Sequence, residues 1–167
     1  EFFLLAALFS VRLMFVLPCT CLLSVSAMER SWAMASLVGG KRVQFLAAVD
    51  MPRKQREMGH WYTAVPPICR EGNNMGPVDF FGRKMIERID KRYRIGVINV
   101  SVAGAKIQLW DKDDYKEYID NERDWMKAIV KQYDGNPYQR LVDMARIAMK
   151  DGVIKGILIH QGESNSD

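Results

Sequence analysis

Two residues suited to stabilising negative charge follow apolar stretches of this sequence. Gly104 lies in a small-residue turn after the apolar run 95–102, and Gln161 comes shortly after the apolar run 153–159. A glycine leaves its backbone N–H accessible and a glutamine supplies an amide N–H, so both can donate to an oxyanion. Each such donor is typically worth roughly a hundred- to a thousandfold in rate. We therefore expect Gly104 and Gln161 to form an oxyanion hole for acyl transfer.

His160 and Glu163 flank Gln161 and are candidates for supporting roles at the same site. Each has a structural alternative, because a histidine at a strand end is often only hydrogen-bonded in place and a loop glutamate is often only solvated. Gly104 by itself is most often a turn residue. The residue types therefore predict a site and leave open which of these side chains act in it.

Composition and charge argue against several classes of function. The chain has 167 residues, of which 49% are hydrophobic and 26% charged, as expected for one globular α/β domain. The net charge is +4, but lysine and arginine are interspersed with aspartate and glutamate, which predicts a solvated surface and no nucleic-acid groove. The three cysteines lack paired spacing and nearby histidines, so no metal and no cofactor is predicted. Cys69 is expected to be a small buried apolar residue.

Apolar periodicity after residue 41 predicts alternating strands and helices. Buried strands are expected at 43–49, 95–102 and 153–159, and helices at 77–89, at 111–134 and from Pro137 onward, the last one capped by Asn136. The segment 52–76, which contains Trp61, is predicted to be a long loop. This order predicts a parallel sheet with helices on both faces, and such sheets bind ligands beyond the carboxyl ends of their strands.

The first 28 residues are strongly apolar and predict export. In one interpretation residues 1–28 are a signal peptide with small residues before its cleavage point. In the other, residues 1–11 are the end of a signal peptide and residues 13–26 contain the first core strand. A transmembrane helix is disfavoured because Arg12 and Pro18 interrupt the apolar run. We therefore expect a secreted or extracytoplasmic protein without a stable membrane span.

The segment 156–164, Gly-Ile-Leu-Ile-His-Gln-Gly-Glu-Ser, resembles the His-Gln-Gly-Glu block of carbohydrate esterase family six, which includes acetylxylan esterases and sialate O-acetylesterase-like proteins. The resemblance extends in consistent order over residues 41–167. It implies a three-layer α/β/α fold of the SGNH-hydrolase, flavodoxin-like type for residues 29–167. It also implies removal of O-acetyl groups from carbohydrates through a serine acyl-enzyme, without a metal. Other matching positions are Trp61 to Pro67, Gly76-Pro77, Phe81 to Arg83, Ile98 to Ala105, Ile107, Trp110 and Gly135 to Tyr138.

The nucleophile of that family lies in a Gly-Gln-Ser-Asn-Met stretch at the end of the first strand. The nearest counterpart here is Ser-Val-Ser-Ala-Met-Glu over residues 24–29, which makes Ser26 the candidate nucleophile. Valine and alanine stand where the family has glutamine and asparagine. Because the resemblance is poor over residues 12–40 and becomes good at Lys41, we hypothesise that this stretch was translated partly out of frame. Resequencing of the coding DNA decides this, and an intact frame would remove the hypothesis.

The aspartate and histidine of the family's triad come from an Asp-x-x-His segment downstream of the His-Gln-Gly-Glu block. Neither His60 nor His160 matches that segment, and the sequence ends at Asp167. We therefore expect an incomplete esterase domain with no meaningful turnover. Missing downstream strands also predict that the apolar run 153–159 is exposed and that solubility is poor.

Two other classes of protein are open alternatives. Trp61, Tyr62 and Trp110 are suited to stack on sugars, so the chain is alternatively a carbohydrate-binding or interaction module without catalysis. The strand and turn pattern also fits a flavodoxin-like nucleotide binder, although no glycine-rich phosphate motif is present. In the esterase interpretation, Trp61 and Trp110 contact the acetylated carbohydrate substrate.

Overall fold

The computed structural model describes residues 12–17, 42–73 and 76–166. Its five strands within these ranges are β1 (Arg12–Leu17), β2 (Val43–Leu46), β3 (Trp61–Thr63), β4 (Arg94–Asn99) and β5 (Gly152–Ile157). The four α-helices of the same ranges are α1 (Pro77–Ile86), α2 (Tyr115–Asp120), α3 (Asp124–Lys131) and α4 (Pro137–Ala148). Short 3-10 turns occur at Pro52–Lys54, Ile107–Trp110 and Glu163–Asn165. The described chain is therefore a mixed α/β structure.

The strands form one sheet in the order β3-β2-β4-β1-β5. Neighbours among β2, β4, β1 and β5 are parallel, whereas β3 pairs antiparallel with β2, with Trp61 opposite Leu46. The expectation of a wholly parallel sheet is therefore wrong at this edge, and so is that of an uninterrupted loop over 52–76. Three residues are too short a run for alternation to reveal a strand, and β3 depends on its pairing with β2.

The middle of the sheet forms the apolar core. The strands predicted at 43–49 and 95–102 are present as β2 and β4, each shorter than predicted, and Phe45 and Ile98 are fully buried. Helix α1 packs closely against β2 at Gly82, where an added Cβ would lie 2.7 Å from Val43 Cγ1. The absence of a side chain at Gly82 therefore permits this close approach of helix and strand.

Two predicted helices are confirmed and one is wrong in extent. The helix predicted at 77–89 is α1, and α4 follows its predicted cap, Asn136. The charged stretch 111–134, predicted as one helix, instead contains both α2 and α3. Asn121 follows α2 and donates from its side-chain amide to Glu117 O at 2.9 Å, which satisfies a terminal helix carbonyl. None of the helices in the described ranges has the length and apolarity needed to cross a membrane.

β5 is an edge strand whose burial alternates along its length. Val153 and Ile157 are 51% and 60% exposed, whereas Ile154 between them packs against the core. The prediction of a fully buried strand at 153–159 is therefore wrong. Helix α4 packs against β5, and within the described residues the outward-facing side chains of the strand have no covering layer. Their exposure agrees with the expectation of an uncovered apolar run.

Candidate active site

The carboxyl ends of β4 and β5 lie on either side of β1. β1 pairs in parallel with both strands, and Leu17 at its end lies opposite Asn99 of β4. Parallel strands end at the same edge of a sheet, so the turns that follow β4 and β5 converge there. The structure therefore brings Gly104 and Gln161 to one edge, with the end of β1 between them.

Two side-chain hydrogen bonds join the turns that carry these residues. Gln161 Nε2 donates to Ala105 O, and Ser164 Oγ donates to Gly104 O at 2.9 Å. Sequence reasoning missed Ser164, because a serine three residues after a glutamine has no local pattern that indicates a partner 60 positions away. The contacts hold the predicted oxyanion residues on adjacent turns.

The side-chain amide of Gln161 is held from both of its ends. Its Oε1 accepts a hydrogen bond from Trp110 Nε1 at 3.1 Å, and Nε2 donates to Ala105 O. A primary amide has two N–H groups, and one of them is used on Ala105. The second N–H therefore has a defined direction, and it makes no hydrogen bond to the residues that the structure describes.

Gly104 has a backbone conformation that favours glycine. Its φ is +64°, in the left-handed region, and the residue is exposed. Its N–H makes no hydrogen bond to the residues that the structure describes. An added Cβ would lie 3.4 Å from the ring of Trp125, which is an ordinary van der Waals distance. The backbone conformation therefore favours glycine, and with it an unobstructed N–H, at this position.

His160 and Glu163 lie next to each other at the same turn. Their Nε2 and Oε1 atoms are 3.2 Å apart, and the two side chains are 64% and 56% exposed. A contact this exposed is surrounded by water and contributes little to stability. No group of three or more histidine, cysteine, aspartate or glutamate side chains in the described part of the chain is arranged to hold a metal ion.

The structure does not bring the two predicted sugar-binding tryptophans together. Trp110 lies beside Gln161, as described above. Trp61 Nε1 instead donates to Asp151 Oδ2 at 2.8 Å, and Asp151 immediately precedes β5 at the amino end of that strand. The indole N–H of Trp61 is thus bonded at the amino end of β5, although Trp61 itself pairs with Leu46, the last residue of β2. The candidate nucleophile Ser26 lies outside the described residues.

One known protein family matches most of this chain. Residues 51–167 match the family described as carbohydrate esterase, sialic acid-specific acetylesterase. This range is well over half of the chain. The chain belongs to that esterase family. The matched range includes Gly104, Trp110 and Gln161, so the resemblance to carbohydrate esterases is confirmed at the family level.

A solved structure shows a related fold for this member of the esterase family. The X-ray structure of a protein from Arabidopsis thaliana matches it with a TM-score of 0.53 and 18% sequence identity. The match covers 92% of this chain and 59% of the plant protein. At this identity the similarity shows the fold alone, and the esterase-family chain spans about three-fifths of the length of the plant protein.

A buried polar cluster lies before the Gly104 turn of this esterase-family chain, and sequence reasoning missed it. Cys69 is buried as predicted, but its Sγ lies 3.0 Å from Ser101 Oγ and 3.2 Å from Tyr133 OH. Tyr133 OH donates to Ser101 O at 3.2 Å. Burial, followed by the proximity of Cys69, raises the pKa of Tyr133, so the phenol stays neutral and can donate. The cluster therefore holds Ser101, three residues before Gly104.

Proposed function

We propose that the protein containing this chain is a carbohydrate O-acetylesterase that acts through a serine acyl-enzyme. The observation that carries the proposal is the hydrogen-bonded approach of the Gly104 and Gln161 turns beside the carboxyl end of β1. Two N–H donors at one edge are suited to the tetrahedral intermediate of acyl transfer. Membership of a carbohydrate esterase family supports the same class of reaction.

In this proposal the serine Oγ attacks the acetyl carbonyl carbon of the sugar ester and gives its proton to a histidine base. The carbonyl oxygen becomes an oxyanion, which Gly104 N–H and the second amide N–H of Gln161 stabilise. The sugar then leaves as its hydroxyl, taking the proton, and water releases acetate from the serine. Ser26 is the proposed nucleophile, and a downstream Asp-x-x-His segment is proposed to supply the acid and base.

The remaining candidate residues have narrower proposed roles. Trp110 positions Gln161 through its N–H, and its half-buried ring is placed to contact the sugar. His160 and Glu163 support the turn that carries Gln161 and do not act as the base. Trp61 lies outside the proposed site, because its indole N–H is committed to Asp151.

We also propose that the complete domain is a three-layer α/β/α structure of the SGNH-hydrolase type and that it is exported. The parallel order of β2, β4, β1 and β5 supports the fold, as do the helices that separate β2 from β4 and β4 from β5 along the chain. Export is compatible with this sheet if signal cleavage occurs before Arg12, because β1 pairs with strands on both sides. Cleavage near residue 27 would remove a strand from the interior of the sheet.

Acetate release tests the proposed reaction in a protein that carries this chain together with the downstream Asp-x-x-His segment. We expect release of acetate from O-acetylated sugars, and Gln161→Ala is expected to lower kcat by about a hundred- to a thousandfold. The matched control is Gln139→Ala, which removes an exposed glutamine on α4 that contacts Asp143 and should leave kcat unchanged. Full activity of Gln161→Ala would contradict the oxyanion role. Sugar binding without acetate release would favour the binding-module alternative.

The chain on its own provides a second test. Without the downstream acid and base, we expect no meaningful hydrolysis of an aryl acetate by residues 1–167. Hydrolysis that disappears in Ser26→Ala would show that the base is already present in this chain. In that case the assignment of the triad to a downstream segment is wrong.

A further inference from the structure

Trp125 is an exposed tryptophan in the first turn of α3. It is 46% exposed, whereas the next residue, Met126, is buried and anchors this end of the helix in the core. The indole N–H groups of Trp61 and Trp110 donate to protein side chains, but that of Trp125 makes no hydrogen bond to the residues that the structure describes. Trp125 therefore combines a half-exposed ring with an N–H donor that the described protein does not use.

The ring of Trp125 lies against the Gly104 turn. Its Cη2 atom is 3.4 Å from the position that a Cβ of residue 104 would occupy, which is van der Waals contact. That position and the amide nitrogen are both one bond away from the Cα atom, so the ring lies no more than roughly 6.5 Å from the nitrogen. An ester bound at the Gly104 N–H therefore has the rest of its molecule within reach of the indole.

Side-chain hydrogen bonds tie the helix that carries Trp125 to the same turn. Lys106 N–H, two residues after Gly104, donates to Tyr118 OH at 3.0 Å, and that hydroxyl donates to Met126 Sδ at 3.5 Å. Tyr118 on α2 thus links the turn to the residue that follows Trp125. The arrangement of ring and turn is built into the fold and does not have to be formed when a ligand binds.

The part of an acetate ester that can contact this ring is its alcohol. The acetyl group adds only a methyl group beyond the carbonyl carbon, whereas the sugar is the larger part and has to extend from the turn toward solvent. A half-exposed indole offers a sugar an apolar face for its C–H groups and an N–H for its hydroxyl groups. Contact with the sugar therefore accounts both for the exposure of Trp125 and for its unused donor.

We propose that Trp125 binds the sugar whose acetyl carbonyl lies at the Gly104 N–H, and that it thereby selects sugar acetates over small alkyl acetates. This inference rests on the proposed function and adds a specificity-determining residue to it. Trp125 takes no part in bond making or breaking. Its ring lies on the Gly104 side of the site, whereas Trp110 lies beside Gln161.

The indole N–H resonance of Trp125 tests the proposal in the chain itself, without requiring turnover. The resonance is assigned by its loss in Trp125→Phe. The probes are acetylated methyl glucoside, O-acetylated N-acetylneuraminic acid and ethyl acetate, which has the ester without a sugar. We expect a saturable shift with at least one of the two sugars and none with ethyl acetate at the same concentration. No saturable shift with either sugar, or an equal shift with ethyl acetate, would overturn the assignment.

Kinetics of the protein that carries the downstream segment separate sugar binding from support of the turn. Trp125→Ala should raise KM for the acetylated sugar roughly threefold to tenfold and leave kcat within about twofold, because the ring contacts the sugar before and during the reaction. The kcat/KM for ethyl acetate should not change, and Trp125→Phe should keep part of the sugar affinity. Met149→Ala, which truncates a 62% exposed side chain after α4, is the control. An equal loss on both esters would show that Trp125 only supports the turn.

The outcome is separable from that of the proposed function. Acetate release from the sugar with the same KM in Trp125→Ala would support the esterase and refute the role of Trp125. A saturable shift of the Trp125 resonance by a sugar, without acetate release by the protein carrying the downstream segment, would support this inference and refute the esterase.

Discussion

Trp110 Nε1 donates to Gln161 Oε1 at 3.1 Å, across 51 positions of sequence. This bond decides which end of the amide is the donor. In the opposite orientation, an amide N–H would face the indole N–H, and the amide oxygen would face the carbonyl oxygen of Ala105. Both contacts would be repulsive, so the N–H end of Gln161 is held toward the Gly104 turn.

Trp110→Phe tests this orientation. The substitution keeps an aromatic ring and removes the N–H, so we expect the amide of Gln161 to lose its preferred orientation. The two side-chain amide proton resonances of Gln161 should shift and broaden in NMR spectra. Trp61→Phe is the control, because it removes a similar hydrogen bond, to Asp151, away from this turn. Unchanged Gln161 resonances in Trp110→Phe would show that Ala105 alone orients the amide.

Asp79 should make stability depend on pH. Burial raises the pKa of Asp79 to about 6, an effect larger than the lowering by its hydrogen bond from Gly76 N–H. Between about pH 4 and pH 6 the folded protein then keeps a proton that the unfolded chain releases, so stability falls as pH rises through this window. At pH 7, Asp79→Asn should raise the free energy of unfolding by roughly 2 kcal/mol.

Urea unfolding at pH 4, 5, 6 and 7 measures this effect. The free energy of unfolding of Asp79→Asn minus that of the parent should grow with pH across the window. Taking this difference cancels the contribution of all other titrating groups. Asp120→Asn, at an exposed position of α2, is the control. A difference that stays constant from pH 4 to pH 7 would contradict the raised pKa.

Gly82→Ala should destabilise the protein although alanine is the better helix former. The new Cβ would lie 2.7 Å from Val43 Cγ1, and overpacking of this kind typically costs about 1–3 kcal/mol. The helix preference of alanine offsets roughly 1 kcal/mol of that cost. We expect a net loss of up to about 2 kcal/mol in urea unfolding, relieved when Val43→Ala is added.

The exposed face of β5 should promote self-association. Val153 and Ile157 point outward on an edge strand, so their replacement by threonine removes apolar surface while retaining strand preference. We expect Val153→Thr with Ile157→Thr to increase the monomer fraction in light scattering and to change stability by about 0.5 kcal/mol or less. Ile154→Thr, on the inward face, should instead lower stability. Unaltered association in the double variant would exclude this face as the contact.

Local features of the fold were predictable because neighbouring residues determine them. Asn136 caps α4 through a bond to an N–H three residues on, and the apolar run 95–102 is long enough to indicate a core strand. β3 was missed because its three residues form a strand only by pairing with β2. The end of α2 before Asn121 was missed because one side-chain cap is a weak signal within a charged stretch whose residues favour a helix.

The sequence by itself determined which chemical groups this protein has available: an unobstructed N–H at Gly104, an amide at Gln161 and a family motif around it. The tertiary structure alone decided that Trp110 orients that amide, that Trp61 lies elsewhere and that Trp125 lies against the Gly104 turn. The physical reason is that these relationships join residues up to 90 positions apart. They depend on the order in which strands pair and on how side chains pack between them, which no local pattern of residues specifies.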